Sequence, residues 1–521
     1  MSRSVAGSDV RDARRWASLA GICVAAAMVW LAFADLGVAS PAIADDFDAQ
    51  LGALQWANNA FSLVTGALVI AAGRFGDVYG RRRMLLLGIA VFGACSVISA
   101  LAGSLPMLIT GRALMGVGAA LVLPATLALI PPQFSGKEQL TAFGVWQAVA
   151  WGGQAVGPAV GGGLTDGLGW AWLFWINVPL SLVAFVVVAR FTPESKDDGA
   201  SSHVDWPGLV TIALAVFALL YALTEAPDAG WGSPLVIALF VAAAVLAAGW
   251  CLIELRVADP LVDFRLFRLR AFDGALTANL MMNLAFGGLS YLLVLWLQNV
   301  RGFSAVEAGL LMLPSTLGIF CTIALGGRMD ARRGSRLPVL VGLVVMSGGL
   351  LLLGTTSRTS SLWLMAAGLV VVGLGLGLLS TPISNTAVGN VPGHLAGTAA
   401  GVFKMSSMVG GAVGVALLTA MGRGFSLREW KAVATDAGVG ADTIDELRAA
   451  LVDSSSFADA LATLPRDVQD LVTQAVMTAF SDGVRDALVA TGLLSLAVTA
   501  VVLLLWPRTT TQHAGDEGAQ R

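Results

Sequence analysis

The sequence predicts an all-α polytopic membrane protein with fourteen transmembrane helices. Apolar residues make up 56% of its 521 positions and charged residues only 12%, about half the charge of an average soluble chain. Soluble domains of this size would be left without a charged surface. The charges are gathered into short tracts between long apolar runs, as in a chain whose loops alone meet water. Every second tract is rich in arginine.

A helix needs about 20 apolar residues to cross the hydrocarbon. The first run that meets this, 16–38, follows Arg11, Arg14 and Arg15. It is long enough to span and lacks a small-residue cleavage site, so it reads as an anchor rather than a signal peptide. Runs 52–73 and 84–104 flank a polar tract with Gly73, Arg74, Gly76, Asp77, Gly80 and Arg81, extended by Arg82 and Arg83. Next come 107–130, which contains Arg112, then the glycine-rich 141–164, and 171–190. Runs 207–226 and 233–253 end near Glu225 and Glu254, which read as interfacial. The remaining runs are 272–298, 306–327, 337–356, 361–387, 397–421 and 484–506. Gly373, Gly375, Gly377 and Pro382 interrupt 361–387.

An even number of crossings puts both termini on one side. The arginine-rich tracts share that side with the termini, and the positive-inside rule makes it the cytoplasm. The one long loop, 422–483, then falls outside. Its apolar residues at helical spacing, Ile444, Leu447, Leu451 and Phe457, predict one or two short helices forming a cap.

A second tract, Gly326, Gly327, Arg328, Asp330, Arg332 and Arg333, follows the tenth span as the first follows the second. Charge bias explains the arginines of both but not the paired glycine and aspartate. If the tracts are equivalent, the chain is an internal repeat: an N-terminal tail over 1–15, six helices over 16–190, linkers and an inserted pair over 191–271, six helices over 272–506, and a tail over 507–521. Repeats with a site at their interface are the architecture of alternating access.

The first tract resembles the loop motif of the major facilitator superfamily. The fifth span carries Gly153, Gly157, Pro158, Gly161 and Gly162, which is similar to the antiporter motif of the superfamily's drug-exporting branches. Glycines four apart form a smooth face for close helix packing. The second span opens Gln55-Trp56-Ala57-Asn58-Asn59-Ala60-Phe61, and the sixth begins at Trp170 and runs through Asn177-Val178-Pro179. Both resemble the fourteen-span drug:proton antiporter branch, with Phe61 where tyrosine and Ala171 where arginine is usual. The resemblance covers about 15–508 and implies a major facilitator fold of two six-helix bundles plus two inserted helices.

The same resemblance implies roles. The Gly73–Arg81 tract would be a gate part, with Asp77 near a helix N-terminus and arginines of the other bundle. Arg112 matches the family's fourth-span arginine; the alternative is snorkelling to the interface. A charge inside a membrane helix is costly and tends to be functional. Asp35 is the acidic residue well within the first span and suits proton coupling, although the family places its aspartate where Ala32 stands. The alternative is an external-end residue beside Asp45, Asp46 and Asp48. Cavity candidates are Trp56, Asn59, Trp146, Trp151, Phe286, Asn279, Asn283 and Lys404, with Met281, Met282, Gln298 and Ser407 nearby. Asn279 and Asn283, four apart on one helix face, suit either substrate binding or helix packing. Lys404 suits either snorkelling or a second cavity charge, and together with Arg112 it leaves anionic substrates open.

The resulting expectation is a proton-coupled exporter of amphipathic or hydrophobic, often cationic, drugs in a bacterial plasma membrane. A dedicated exporter of one endogenous natural product is the alternative, and a non-transporting membrane sensor is the alternative of another class. No enzyme is expected: there is no P-loop, and His203, His394 and His513 are scattered. Neither a cofactor nor a metal is expected. Cys23, Cys95, Cys251 and Cys321 all lie in apolar runs and read as small buried hydrophobes. The expected partners are the substrate, protons and the lipid bilayer. The net charge of −3 gives no argument for nucleic acid. A monomer is compatible with this architecture, and patterning leaves the oligomeric state open.

Overall fold

A computed structural model describes residues 2–34, 36–49, 51–196, 205–257, 260–262, 264–436 and 465–506. Helices account for the architecture, and among the described residues there is no strand. The N-terminal bundle comprises α1 (Ser2–Ala34), α2 (Leu36–Phe47), α3 (Leu51–Tyr79), α4 (Arg81–Ala100), α5 (Leu105–Ala128), α6 (Gly136–Leu168), α7 (Trp172–Trp175) and α8 (Asn177–Phe191). The inserted pair is α9 (Trp206–Ala229) and α10 (Pro234–Glu254). The C-terminal bundle comprises α11 (Arg270–Asn299), α12 (Ala305–Leu310), α13 (Leu313–Arg333), α14 (Arg336–Leu353), α15 (Leu362–Ser384), α16 (Ala396–Asp436) and α17 (Arg466–Leu505).

Packing repeats between the bundles. In the first, α1 packs on α6 and α8, α3 on α5, and α4 on α5 and α8. In the second, α11 packs on α16 and α17, α13 on α15, and α14 on α15 and α17. Across the seam α3 meets α16 and α6 meets α13. The inserted helices pack on each other, and α9 also packs on α3 and α16, closing one side of the seam.

Among the described residues thirteen segments are long and apolar enough to cross a bilayer, against the fourteen expected. The difference is α6. Its 33 residues reach about 50 Å, ample for a crossing. It carries Gln147, Gln154 and Asp166 among its glycines. Packed between α1 and α13, it needs less apolar surface than a lipid-facing helix. The interruptions in α15 are also explained by packing. A Cβ on Gly373 or Gly377 would strike the Ser315 or Ile319 carbonyl of α13, and one on Gly375 would strike Met346 of α14. The glycines let three backbones approach, so α15 stays helical through Pro382.

The chain differs from expectation at the long loop. Residues 422–436 continue α16, and 466–483 already belong to α17. The two extensions touch where Gly483 faces Gly422 and Ser426. Ile444, Leu447, Leu451 and Phe457 lie outside the described residues. Cys23 and Cys95 are buried, but Cys251 is half-buried and Cys321 is exposed on α13. Glu254, at the end of α10, is buried and accepts a hydrogen bond from Trp250 Nε1 at 2.8 Å.

Candidate functional site

Between the bundles lies a cavity of about 510 Å³. Its first wall is Trp30 and Phe33 of α1 with Asn58, Asn59 and Ser62 of α3. Gln147, Trp151 and Gln154 of α6 form the second. Opposite stand Asn279, Met282, Asn283, Phe286 and Tyr291 of α11, and Lys404 and Ser407 of α16. The inserted α9 closes the side with Leu220, Leu223 and Thr224. Aromatic walls with a few amides and hydroxyls suit a drug-sized amphipathic ligand. The α3 lining runs from Leu54 to Leu63, near the start of that helix, whereas Asp77 lies near its end. The cavity therefore sits in the half of the protein away from the arginine tracts.

Lys404 does not snorkel. It is 5% exposed, and its Nζ lies 4.5 Å from the Trp146 ring centroid, 5.3 Å from Trp30 and 5.5 Å from Phe403. Among the described residues no carboxylate pairs with it. Beside it, Asn279 Nδ2 lies within hydrogen-bond reach of the Phe403 carbonyl at 3.0 Å, Ser406 Oγ at 2.7 Å and Ser407 Oγ at 2.8 Å. Its two hydrogens serve at most two of these at once. Asn283 Nδ2 donates to the Asn279 carbonyl at 2.8 Å. Asn279 thus ties α11 to α16 and lines the cavity as well, so the two readings of this pair converge.

Arg112 does not reach an interface either. It is fully buried and donates to the Ala32 carbonyl at 3.0 Å, the Ala57 carbonyl at 3.3 Å and Asn58 Oδ1 at 3.0 Å. The Phe61 ring lies under its guanidinium at 4.5 Å. From α5 it joins α1 to α3 and orients Asn58, which faces the cavity. The planar five-donor fork of arginine makes such a three-way link possible.

Two candidates lie off the wall. Trp56 packs edge-on against Tyr221 of α9, with ring centroids 5.2 Å apart. Trp146 is fully buried beneath Lys404. Met281 and Gln298 also lie off the lining, whereas Met282 is part of it. Trp151 donates to Ser380 Oγ at 3.3 Å and meets Phe286 edge-on at 5.1 Å. Asp35 lies outside the described residues.

The glycines of α6 meet α1. A Cβ on Gly153 would sit 3.1 Å from the Ala27 carbonyl oxygen, and one on Gly157 would sit 2.5 Å from Ala34 Cβ. Gly161 and Gly162 are buried, and α6 continues as a helix through Pro158.

At the arginine-rich end the bundles are latched. Asp77 is fully buried. Its Oδ1 accepts from the Gly397 N–H at 2.9 Å, and its Oδ2 accepts from the Thr398 N–H at 2.7 Å and Thr398 Oγ1 at 2.9 Å. The carboxylate of one bundle thus caps the helix α16 of the other, where unpaired N–H groups and the helix dipole favour an anion. Arg81 Nη2 donates to Asp77 Oδ1 at 2.7 Å and to the Gly393 carbonyl at 2.5 Å. Gly73 makes this approach possible, since a Cβ there would meet the Gly397 carbonyl and lie 3.2 Å from Gly401 Cα. Gly76 lies against Arg81, and Arg74 is half-buried on the same turn. Gly80 turns the chain at φ 109°, which side chains rarely adopt, with the Glu194 carboxylate seated against it.

The second tract works through a relay. Asp330 accepts from Ser335 Oγ at 2.8 Å and from Asn385 Nδ2 at 3.2 Å. Asn385 sits in a π-helical turn, Asn385–Gly389, and its Oδ1 accepts from Gln139 Nε2 of α6 at 2.8 Å. Both seams are therefore closed at the same end, each through a tract aspartate.

A family model described as the Major Facilitator Superfamily matches residues 22–415. The chain belongs to the major facilitator superfamily. The tetracenomycin C resistance and export protein of Streptomyces glaucescens is 30% identical over 513 residues, covering 97% of this chain and 94% of the relative. The puromycin resistance protein pur8 of Streptomyces alboniger is 34% identical over 418 residues, covering 79% and 83%. The crystal structure of the human organic anion transporter MFSD10 (TETRAN) matches with a TM-score of 0.60 at 16% identity, over 93% of this chain and 99% of that one, a likeness of fold. As a member of the superfamily, the chain is a transporter rather than an enzyme.

Sequence reasoning missed several lining residues of this facilitator. Gln147 and Gln154 lie at helical spacing from the expected Trp151 and share its face of α6, a signal that was available. Nothing in the sequence pointed to Leu220, Leu223 or Thr224, because hydropathy does not distinguish a lipid-facing α9 from one wedged into the seam.

Proposed function

We propose that this chain is a secondary active exporter of amphipathic and hydrophobic drug-like molecules in a bacterial plasma membrane. It would exchange substrate for protons by alternating access, with both termini and the arginine tracts in the cytoplasm. The observation that carries the reading is the cavity at the bundle seam, closed at the arginine-rich end by Asp77 and open in composition to aromatic amphipaths. Resistance and export relatives along most of the chain support export of drug-like compounds. In this reading Asp35 takes up the proton from outside, and Arg112 sets the arrangement of α1 and α3. Release of the Asp77 latch admits substrate from the cytoplasm, and the bundles rock about the cavity. A single endogenous natural product as substrate is the second reading, favoured by the export protein of an antibiotic's name among the relatives.

The test is proteoliposomes loaded with a pH-sensitive dye under an imposed pH gradient, with candidate amphipaths added to wild type and Asp35→Asn. Substrate-dependent proton flux lost in the variant supports antiport through Asp35. Flux retained in the variant moves the proton site elsewhere, and substrate movement without proton flux removes proton coupling.

A further inference from the structure

Among the described residues, the charge facing the cavity is one-sided. Among the described lining residues there is no aspartate or glutamate, and the cation is Lys404. Its ammonium is buried to 5% exposure among the rings of Trp146, Trp30 and Phe403. Aromatic faces attract a cation but do not provide the oxygen acceptors that its three N–H groups require. A buried charge persists at low cost only when it is paired and hydrogen-bonded. No described residue supplies Lys404 with such a partner.

The neighbouring groups are already committed to the protein. Arg112 donates from Nε and Nη2 to two backbone carbonyls and Asn58. The amide of Asn279 is held by Phe403, Ser406 and Ser407, and Gln147 donates to the Ser380 carbonyl at 3.2 Å. Lys404 therefore stands apart as a charged donor that faces the cavity and has no acceptor among the described residues.

We propose that Lys404 is an anion seat within the transport cavity, and that the substrates are aromatic amphipaths carrying a carboxylate or similar acidic group. The acidic group accepts from Lys404 Nζ, and the aromatic body lies against Trp30, Trp151 and Phe286, which line the same cavity. This assignment rests on the exporter reading for its physiological meaning, and it takes the anionic alternative that the sequence left open over the cationic substrates it favoured.

The test uses the full chain in lipid nanodiscs and three matched probes: pyrenebutyrate, its uncharged primary amide and the analogue ending in trimethylammonium. Binding is read as energy transfer from tryptophan to pyrene, with empty nanodiscs subtracted. Wild type should bind the carboxylate about tenfold to a hundredfold more tightly than the amide, the range of a hydrogen bond to a charged group. Lys404→Gln should abolish that preference, and Lys404→Arg should retain most of it, which separates lost charge from lost folding. Equal binding of the three probes, tighter binding of the cation, no binding of the carboxylate to wild type, or a preference that survives Lys404→Gln each overturns the assignment. Counterflow in proteoliposomes tests export separately. Absent counterflow with an intact binding preference overturns export and leaves the anion seat standing. Counterflow of the cationic probe in preference to the carboxylate overturns the anion seat and leaves export standing.

Discussion

The Asp77 carboxylate of α3 caps the N-terminus of α16 in the opposite bundle through the Gly397 and Thr398 N–H groups. At the same time it holds Arg81, which reaches the Gly393 carbonyl. One buried carboxylate thus satisfies a helix end and a guanidinium from both sides of the seam. Its contacts exist only while the bundles meet at this end, so in the proposed alternating-access cycle they are contacts that would break when the cavity faces the other way.

Asp77→Asn should therefore loosen the closed end. Removing one partner of a buried charged pair costs about 3–5 kcal/mol, enough to change the balance of two conformations. Spin labels at Tyr79 and His394, both exposed near the latch, should show a longer-distance population and transport should fall at least about tenfold. An unchanged distance distribution would remove the latch from the mechanism.

Gly73→Ala places a methyl group against the Gly397 carbonyl and the Gly401 Cα. The backbones cannot retreat without opening the seam, so transport should be largely lost while the protein still reaches the membrane. Gly163→Ala, with open space around its Cβ position, should transport normally. Equal activity of the two variants would contradict close packing as the reason for glycine at position 73.

Arg112→Lys keeps the charge but cannot span the Ala32 and Ala57 carbonyls and Asn58 together. Each buried acceptor left unsatisfied costs about 1–3 kcal/mol. The thermal midpoint in detergent should drop by several degrees and substrate affinity should weaken through the released Asn58. A variant with wild-type stability would show that the three-way link carries little.

Thr224→Trp tests the inserted pair. Thr224 lines the cavity from α9, so an indole there should raise KM for bulky substrates more than for small ones, with kcat for small substrates little changed. If substrate size makes no difference, α9 only seals the seam.

The order of the helices, the arginine-rich ends and the loop tract with its aspartate were legible in the chain, and among the described residues thirteen of the fourteen expected crossings have the length and hydropathy of a span. The bilayer imposes a length and a charge rule on each segment separately, and Gly73, Asp77 and Gly80 form a local pattern, although the partners of Gly73 and Asp77, at Gly397, Thr398 and Gly401, lie in the other bundle. The side chains of the cavity were only partly legible. Asn59, Trp151, Asn279, Asn283 and Lys404 line it, but Trp56 turns to Tyr221 and Trp146 lies beneath Lys404. Which face a helix presents depends on rotation about its own axis, and packing against neighbours decides that rather than hydropathy. The relay from Asp330 through Asn385 to Gln139 joins residues far apart in the chain, and the wedge of α9 between α3 and α16 depends on the seam between two bundles. Neither relation has a local trace in the sequence, because each exists only once the two repeats have met.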